Sequence, residues 1–293
     1  MEKTIFGPPG TGKTTTLLNI VDESLRNGMN PYRIGFVSFS RKAAGEALDR
    51  AKEKFGYDEK QLVWFRTLHS MAYRYLGLKP QDVMRGADYN ELGKLLGLEF
   101  RAHAALRMED GPLFVTGVGG DAYINIIRKA RAAEISAEKE FDMSAHWSLS
   151  KQQLRIVENA LARYKSVNDK IDFVDMIDQF IANGEGPNLD LLIVDEAQDL
   201  TPLQWRMIRE VLAPRSKVVY YAGDDDQCIY SWMGVDVGDF MNSSENVQVL
   251  DRSYRLPEPI YQVAQNIIRR VSVRQDKKWR PNDHDGSVQF HYS

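Results

Sequence analysis

Cysteine is almost absent from this chain of 293 residues. Cys228 stands alone, so no internal disulfide can form, which suits a reducing compartment. No apolar run approaches the roughly 20 residues that a membrane-crossing helix needs, and the opening MEKTIFGPPG lacks the layout of a signal peptide. A cytoplasmic protein without a membrane partner is expected. Internal repeats and low-complexity tracts are missing too. Nor is there a large excess of one charge: the net value is −3, so no whole-chain basic field draws in nucleic acid, and any such contact must come from local patches. Two stretches are locally basic, Arg41, Lys42, Arg50, Lys52 and Lys54, then Arg269, Arg270, Arg274, Lys277, Lys278 and Arg280. Both read as solvated helix faces. What remains is ordinary globular material, 43% hydrophobic and 27% charged, long enough for one large domain or two modest ones.

Short apolar runs alternate with amphipathic stretches over the first 75 or so residues. Strands are predicted at Thr4–Phe6, Arg33–Phe39 and Leu62–Phe65. Helices are predicted at Thr14–Asn27 (stopped by Gly28), Arg41–Phe55 (capped by Ser40, followed by Gly56) and His69–Leu76. Such a βαβα order calls for a parallel sheet covered by helices on both faces. From Leu78 to Ser150 the strand signals fade. This region, with a glycine-rich loop at Gly111–Gly120 and a helix at Tyr123–Ala133, reads as a mainly helical insertion. A helix at Lys151–Ser166 follows. The α/β pattern resumes with strands at Leu191–Val194, Lys217–Ala222 and Val247–Leu250. Thr201-Pro202-Leu203-Gln204 has the form of a capping box opening a helix to Leu212. A helix at Pro259–Val271 and a last strand at Ser287–Tyr292 complete the expectation.

Gly7-Pro8-Pro9-Gly10-Thr11-Gly12-Lys13-Thr14 fits the phosphate-loop pattern G-x-x-x-x-G-K-[ST] and falls between a predicted strand and a predicted helix. Glycines let backbone N–H groups turn inward around phosphate oxygens, and the helix adds its positive end. Lys13 is placed to reach the β- and γ-phosphates, and Thr14 to offer its hydroxyl to Mg²⁺. With Thr15, these residues form the candidate nucleotide-binding set. The pattern alone does not separate a kinase from a GTPase or a motor.

Asp195-Glu196-Ala197-Gln198-Asp199 follows directly on the buried run Leu-Leu-Ile-Val, at a strand end where open α/β sheets place ligands. Asp195 suits Mg²⁺ coordination, and Glu196 suits orienting and deprotonating an attacking water. A water-activating glutamate points to ATP hydrolysis rather than transfer to a substrate hydroxyl.

These residues resemble the DExQD box of UvrD/Rep/PcrA-type superfamily 1 DNA helicases. Further segments resemble that family's motifs in order: Val37–Ala44 motif Ia, Thr67–Ser70 motif Ib, Ile171–Asp175 the LDFDD segment, Gly223–Trp232 motif III, and Ser253-Tyr254-Arg255 the core of motif IV. The resemblance implies a RecA-like P-loop NTPase sheet over 1–77 and 151–245, a helical, DNA-facing insertion over 78–150, and the start of a second RecA-like lobe over 246–293. It further implies ATP and Mg²⁺ as cofactors, single-stranded DNA as partner, work alongside other repair or replication proteins, and 3′-to-5′ movement. Gln227 would sense the γ-phosphate or its attacking water, Arg255 would be an arginine finger, and Tyr254 would stack on adenine. Phe39, Tyr230 and Trp232 would stack on bases, with Thr67, His69 and Ser70 along the DNA backbone. Aromatic stacking suits a motor that ignores sequence, because every base has a π-face.

The sequence also departs from that family. No upstream glutamine motif precedes the first strand, the loop reads GPPGTGKT rather than GAGSGKT, and Thr15 and Met233 stand where many relatives carry arginine. Motifs V and VI are not found, so weak unwinding by this chain alone is expected. A non-enzymatic ATP- and DNA-binding module is the alternative, disfavoured by the intact Glu196 and Arg255. A phosphoryl transferase would leave the aromatic pair after Gln227 without a use.

Overall fold

The computed structural model describes residues 1–100, 119–143 and 149–289. Six strands form its centre: β1 (Glu2–Phe6), β2 (Ile34–Ser38), β3 (Trp64–Thr67), β4 (Leu189–Asp195), β5 (Ser216–Gly223) and β6 (Val247–Val249). They lie in the order β3-β2-β4-β5-β1-β6, every neighbour pair parallel. All the carboxyl ends therefore line one edge, which gathers the loops after β1, β4 and β5 side by side.

The continuous apolar run in β4 is explained by burial on both faces. Leu192 and Val194 join one core with Phe180, Trp205 and Tyr221, whereas Leu191 and Ile193 join the opposite core with Leu17, Phe36 and Phe65. Helices α1 (Lys13–Arg26) and α2 (Arg41–Phe55) cover the second face, and α3 (Leu68–Tyr75) packs against the first. The caps behave as expected: Ser40 Oγ accepts from Ala43 N at 3.2 Å, and Gly56 closes α2 at φ 71°.

Among the described residues, four helices stand apart from the sheet: α4 (Gly86–Leu96), α5 (Gly120–Ala132), α6 (Ala137–Met143) and α7 (Lys151–Val167). They share their own core, built on Tyr89, Leu92, Ile124, Ile127, Leu154 and Leu161. Here the reading of 151–166 as part of the ATP-binding core gives way, because Leu154, Val157, Leu161 and Tyr164 of α7 are buried among these helices. The excursion starts and returns through one point: Ile171 N donates to Asp82 O and Met84 N to Ile171 O, both at 2.8 Å. Most of the expected Gly111–Gly120 loop lies outside the described residues, and Gly120 already opens α5.

Beyond it come α8 (Phe173–Asn183), α9 (Pro202–Met207), which continues as a π-helical turn over Ile208–Leu212, and α10 (Val237–Met241). The Thr201–Gln204 capping box is present. A small pair, β7 (Arg252–Pro257) and β8 (Arg280–Asn282), flanks α11 (Glu258–Ile268).

Two strand expectations shift. β3 begins at Trp64 because Asp58 O accepts from Leu62 N and Leu62 O from Phe65 N, winding 58–63 into turns in which Leu62 is a buried anchor. Residues 287–289 of the expected last strand are irregular, and its remainder lies outside the described residues.

An ionic cluster joins the helical unit to the sheet. Asp172, 1% exposed, caps α8 and takes Lys165 Nζ at 2.9 Å, while Arg131 reaches Asp172, Asp175 and Asp178. Burial alone would raise the Asp172 pKa, but Lys165 and Arg131 hold it well below the carboxylate norm. Such a group stabilises the fold at pH above its unfolded value, and that contribution fades as pH falls through the folded one. Asp172→Ala removes the α8 cap and one of the carboxylates that Lys165 and Arg131 share, leaving both cations on Asp175, which is expected to cost about 2 kcal/mol and to lower the melting midpoint by about 5 °C. A melt indistinguishable from the parent's would show that the cluster is not a structural joint.

Candidate active site

The loop after β1 wraps into α1 as its composition requires. Gly10 and Gly12 sit at φ 73° and 77°, a region costly for any residue with a Cβ. A Cβ on Gly10 would meet Arg255 Cβ at 2.4 Å. Gly12 caps α1 without a side-chain acceptor, so the first N–H groups of the helix are left to bind an anion. Thr11 closes the loop on itself through Pro8 O at 2.7 Å. Ser253 Oγ donates to Pro9 O at 2.8 Å and Tyr254 N to Gly10 O at 2.8 Å, so β7 holds the loop from across the cleft.

That cleft measures about 820 Å³ and is lined by Gly7 to Thr16, Glu196, Gln227, Tyr254 and Arg255. Every residue named from the sequence for nucleotide binding or catalysis meets here except Asp195, which lies just beneath it. Asp195 Oδ1 is 3.9 Å from Lys13 Nζ, and Glu196 Oε2 is 2.5 Å from it. Burial works against the Lys13 charge, yet Asp195 and Glu196 hold its pKa above the lysine norm. Asp195, 2% exposed, is pushed up by burial to about 6. Asp195 carboxylate and Thr14 hydroxyl are hard oxygen donors, the set that suits Mg²⁺.

Glu196 occupies the left-handed region at φ 53°, a strain of roughly 1–3 kcal/mol at a residue with a side chain. Its carboxylate is held by Lys13 and by Gln198 Nε2 at 3.0 Å. Gln198 also donates to Asp199 Oδ2 at 3.0 Å, and its carbonyl accepts from Asp224 N at 3.0 Å. Asp224 in turn accepts from Gln227 Nε2 at 2.6 Å. One hydrogen-bonded chain thus runs from the β4 end to the β5 end. Burial, with the Glu196 charge beside it, pushes Asp199 up to about 7.

Gln198 lies inside the quoted acidic box, but nothing in its spacing marks it as the link. A correction concerns the second basic stretch. Lys277 is not on a solvated face: its side chain is fully buried against Asp224, Asp225 and Asp226, and Arg274 forms a two-bond pair with Asp226. The first stretch does lie on the exposed side of α2, where Arg50 also borders the cleft.

The residues named for DNA fall into two groups. Phe39, after β2, and Tyr230, after β5, come together with ring centroids 5.4 Å apart. The side chain of Trp232 lies outside the described residues. Thr67, His69 and Ser70 form the first turn of α3 instead. Thr67 Oγ1 caps that turn by accepting from Ser70 N, Ser70 Oγ accepts from Arg66, and His69 packs edge-on against Phe173 at 5.9 Å.

A six-stranded parallel sheet with a phosphate loop after β1 and an acidic pair after β4 defines a RecA-like P-loop NTPase core. More narrowly, the family model for the UvrD/REP helicase N-terminal domain matches residues 2–248, and the chain belongs to that family. ATP-dependent DNA helicase PcrA of Staphylococcus epidermidis (strain RP62A) is 26% identical over 305 residues, covering 98% of this chain and 41% of that protein. PcrA of Staphylococcus aureus (strain NCTC 8325) is 25% identical, covering 98% and 40%. The chain therefore spans about two fifths of the length of these relatives. VirB4 of Thermoanaerobacter pseudethanolicus aligns over 92% of the chain at 11% identity with a TM-score of 0.32, a likeness too low to bear on function.

Burial lowers the His69 pKa to about 4, with Asp172 opposing. A histidine with a depressed folded value contributes stability above its unfolded value near 6.5 and loses it as pH falls towards 4. The His69 ring is expected to titrate near pH 4 by NMR. Titration near 6.5 would mean that it faces solvent.

Proposed function

We propose that this chain hydrolyses ATP in a manner stimulated by single-stranded DNA, as the ATP-binding part of a helicase moving 3′ to 5′. The observation that carries the reading is the convergence of Lys13, Glu196, Gln227 and Arg255 on one cleft, with the loop that brings Gln227 there also carrying Tyr230 to Phe39. In this reading residues 1–77 and 168–245 form the ATP-binding core, 78–167 the DNA-facing helical unit, and 246–293 the start of a second RecA-like lobe.

The loop from Gly7 to Thr14 and the α1 N-terminus cradle the β- and γ-phosphates. Thr15, at the exposed start of α1, borders the same phosphates, and Tyr254, exposed at the cleft mouth, stacks on the adenine. Thr14 and Asp195 would hold Mg²⁺, which when bound neutralises charge on the β- and γ-phosphates. Lys13 binds phosphate oxygens, and as they share its ammonium the Glu196 carboxylate is freed to accept a proton. Glu196 then takes the proton of the attacking water. Gln227 orients that water, and Arg255 stabilises charge growing on the transferred phosphoryl group.

Phe39, Tyr230 and Trp232 stack on bases at roughly 1–3 kcal/mol each. His69 contacts the DNA backbone only from the edge of α3, and the Thr67 and Ser70 hydroxyls contribute while serving that helix.

Hydrolysis measured with and without an oligothymidylate tests this. Glu196→Gln is expected to lower the DNA-stimulated turnover at least 100-fold while ATP binding persists. Binding of ATP without any turnover by the parent would leave only a binding module.

A further inference from the structure

The loop after β5 owes its shape to a segment some fifty residues further along the chain. Lys277 has a side chain with no exposure at all, and its ammonium lies 2.7 Å from Asp224 Oδ1, 2.5 Å from Asp225 Oδ1 and 2.9 Å from Asp226 Oδ2. Arg274 supplies the second cation, on Asp226, and Gln275 N donates to Asp225 Oδ2 at 2.7 Å. Trp279 packs edge-on against Tyr261 of α11 at 4.6 Å and fixes the far end of the segment. Burying two neighbouring carboxylates, Asp224 and Asp225, with a third half-buried beside them is unfavourable unless cations accompany them. Burial opposes the Lys277 charge as well, yet Asp224 and Asp225 keep its pKa above the lysine norm.

The two oxygens of Asp224 are divided. Oδ1 takes Lys277, and Oδ2 takes the Gln227 side-chain nitrogen at 2.6 Å. An ionised carboxylate only accepts hydrogen bonds, so the atom of Gln227 facing it must be the NH₂ group. The Gln227 carbonyl oxygen is then the end left for the cleft. A carbonyl accepts a hydrogen bond from water, whereas the amide nitrogen would donate one to a phosphate. The division at Asp224 therefore selects between the two tasks open to Gln227.

We propose that Lys277 is a positioning residue that, by holding the Asp224 carboxylate in place through Oδ1, sets the Gln227 amide so that its carbonyl oxygen orients the attacking water. The proposal rests on the reading of this cleft as an ATP hydrolysis site. Lys277 itself does not line the cleft. Because it lies beyond α11 while Gln227 lies beyond β5, it also makes the water-orienting group answer to the position of the segment that follows α11.

The test is steady-state ATP hydrolysis by the whole chain with Mg²⁺ and an oligothymidylate, for Lys277→Met, Gln227→Ala and the double variant. Lys277→Met is expected to lower kcat about 100-fold, the order associated with misplacing a reacting group by an ångström, with KM for ATP unchanged within about twofold. In the Gln227→Ala background the same substitution is expected to change kcat less than about twofold, since two residues acting through one group do not add. Multiplying losses, or a KM that rises with the fall in kcat, would overturn the proposal and leave the ATPase reading intact. A parent chain that does not hydrolyse ATP would sink both.

Should Lys277→Met not fold, Asp224→Asn decides. Its side chain keeps the volume and an oxygen for Lys277 but turns an NH₂ group to Gln227, which must then present its own nitrogen to the cleft. The expected result is the same loss of kcat at unchanged KM, and parental turnover would refute the assignment.

Discussion

The Gln198 amide is the constraint on which the rest of the site depends. One side-chain nitrogen grips Glu196 and Asp199, and its oxygen receives the backbone of Asp224. Two strand ends that the sheet merely sets side by side are thereby locked to one another. Space reinforces the lock, because a Cβ on Gly223 would lie 2.4 Å from the Gln198 oxygen. Any larger residue at the end of β5 would push the amide away from Asp224. Lys13 engages this chain from the β1 side and Lys277 from beyond α11, so groups from four separate parts of the sequence share one hydrogen-bonded path.

The same path explains why strain is tolerated at Glu196. A left-handed backbone at a non-glycine residue persists only where its surroundings determine it several times over. Here Glu196 N donates to Asp195 Oδ1, its carboxylate is held by Lys13 and Gln198, and its carbonyl accepts from Asp199 N. The twist aims Glu196 into the cleft while its neighbour Asp195 stays buried below. Adjacent carboxylates thus acquire different surroundings, one partly solvated and ion-paired, the other desolvated. That separation is what dividing metal binding from proton transfer between them requires.

Much of this was legible in the sequence, for reasons that differ by residue. The phosphate loop could be read because φ above zero at Gly10 and Gly12 is a demand that few residue types meet. The strand β4 could be read because burial on both faces leaves an unbroken apolar run. The helix caps at Ser40 and Thr201 could be read because capping is local. The misreadings concern long-range packing. Amphipathic α7 shows an apolar stripe, but a stripe does not say which core receives it, and the receiving core is that of α4, α5 and α6. Lys277 sits in a run of charges whose composition says solvent, and only its meeting with Asp224 to Asp226 turns it inward. For Thr67 and Ser70 the fold adds what spacing does not show, that their hydroxyls also serve the first turn of α3 and Arg66.

Sheet order supplies the last step, from two sites to one device. Along the carboxyl edge the phosphate loop follows β1, the acidic pair Asp195–Glu196 follows β4, and β5 lies between them. The loop after β5 carries Gln227 on its cleft side and, three residues on, Tyr230 against Phe39. The loop that follows this eight-residue strand is therefore the element that the cleft and the aromatic pair share. In the proposed function, a change in what Gln227 faces has a short path to the aromatic pair, and a base stacked on Tyr230 has the same path back. Thermodynamic coupling of this kind is reciprocal for binding. DNA that tightens the loop would favour ATP to the same degree that ATP favours DNA, and the Asp224–Lys277 contact sets how far that loop can shift.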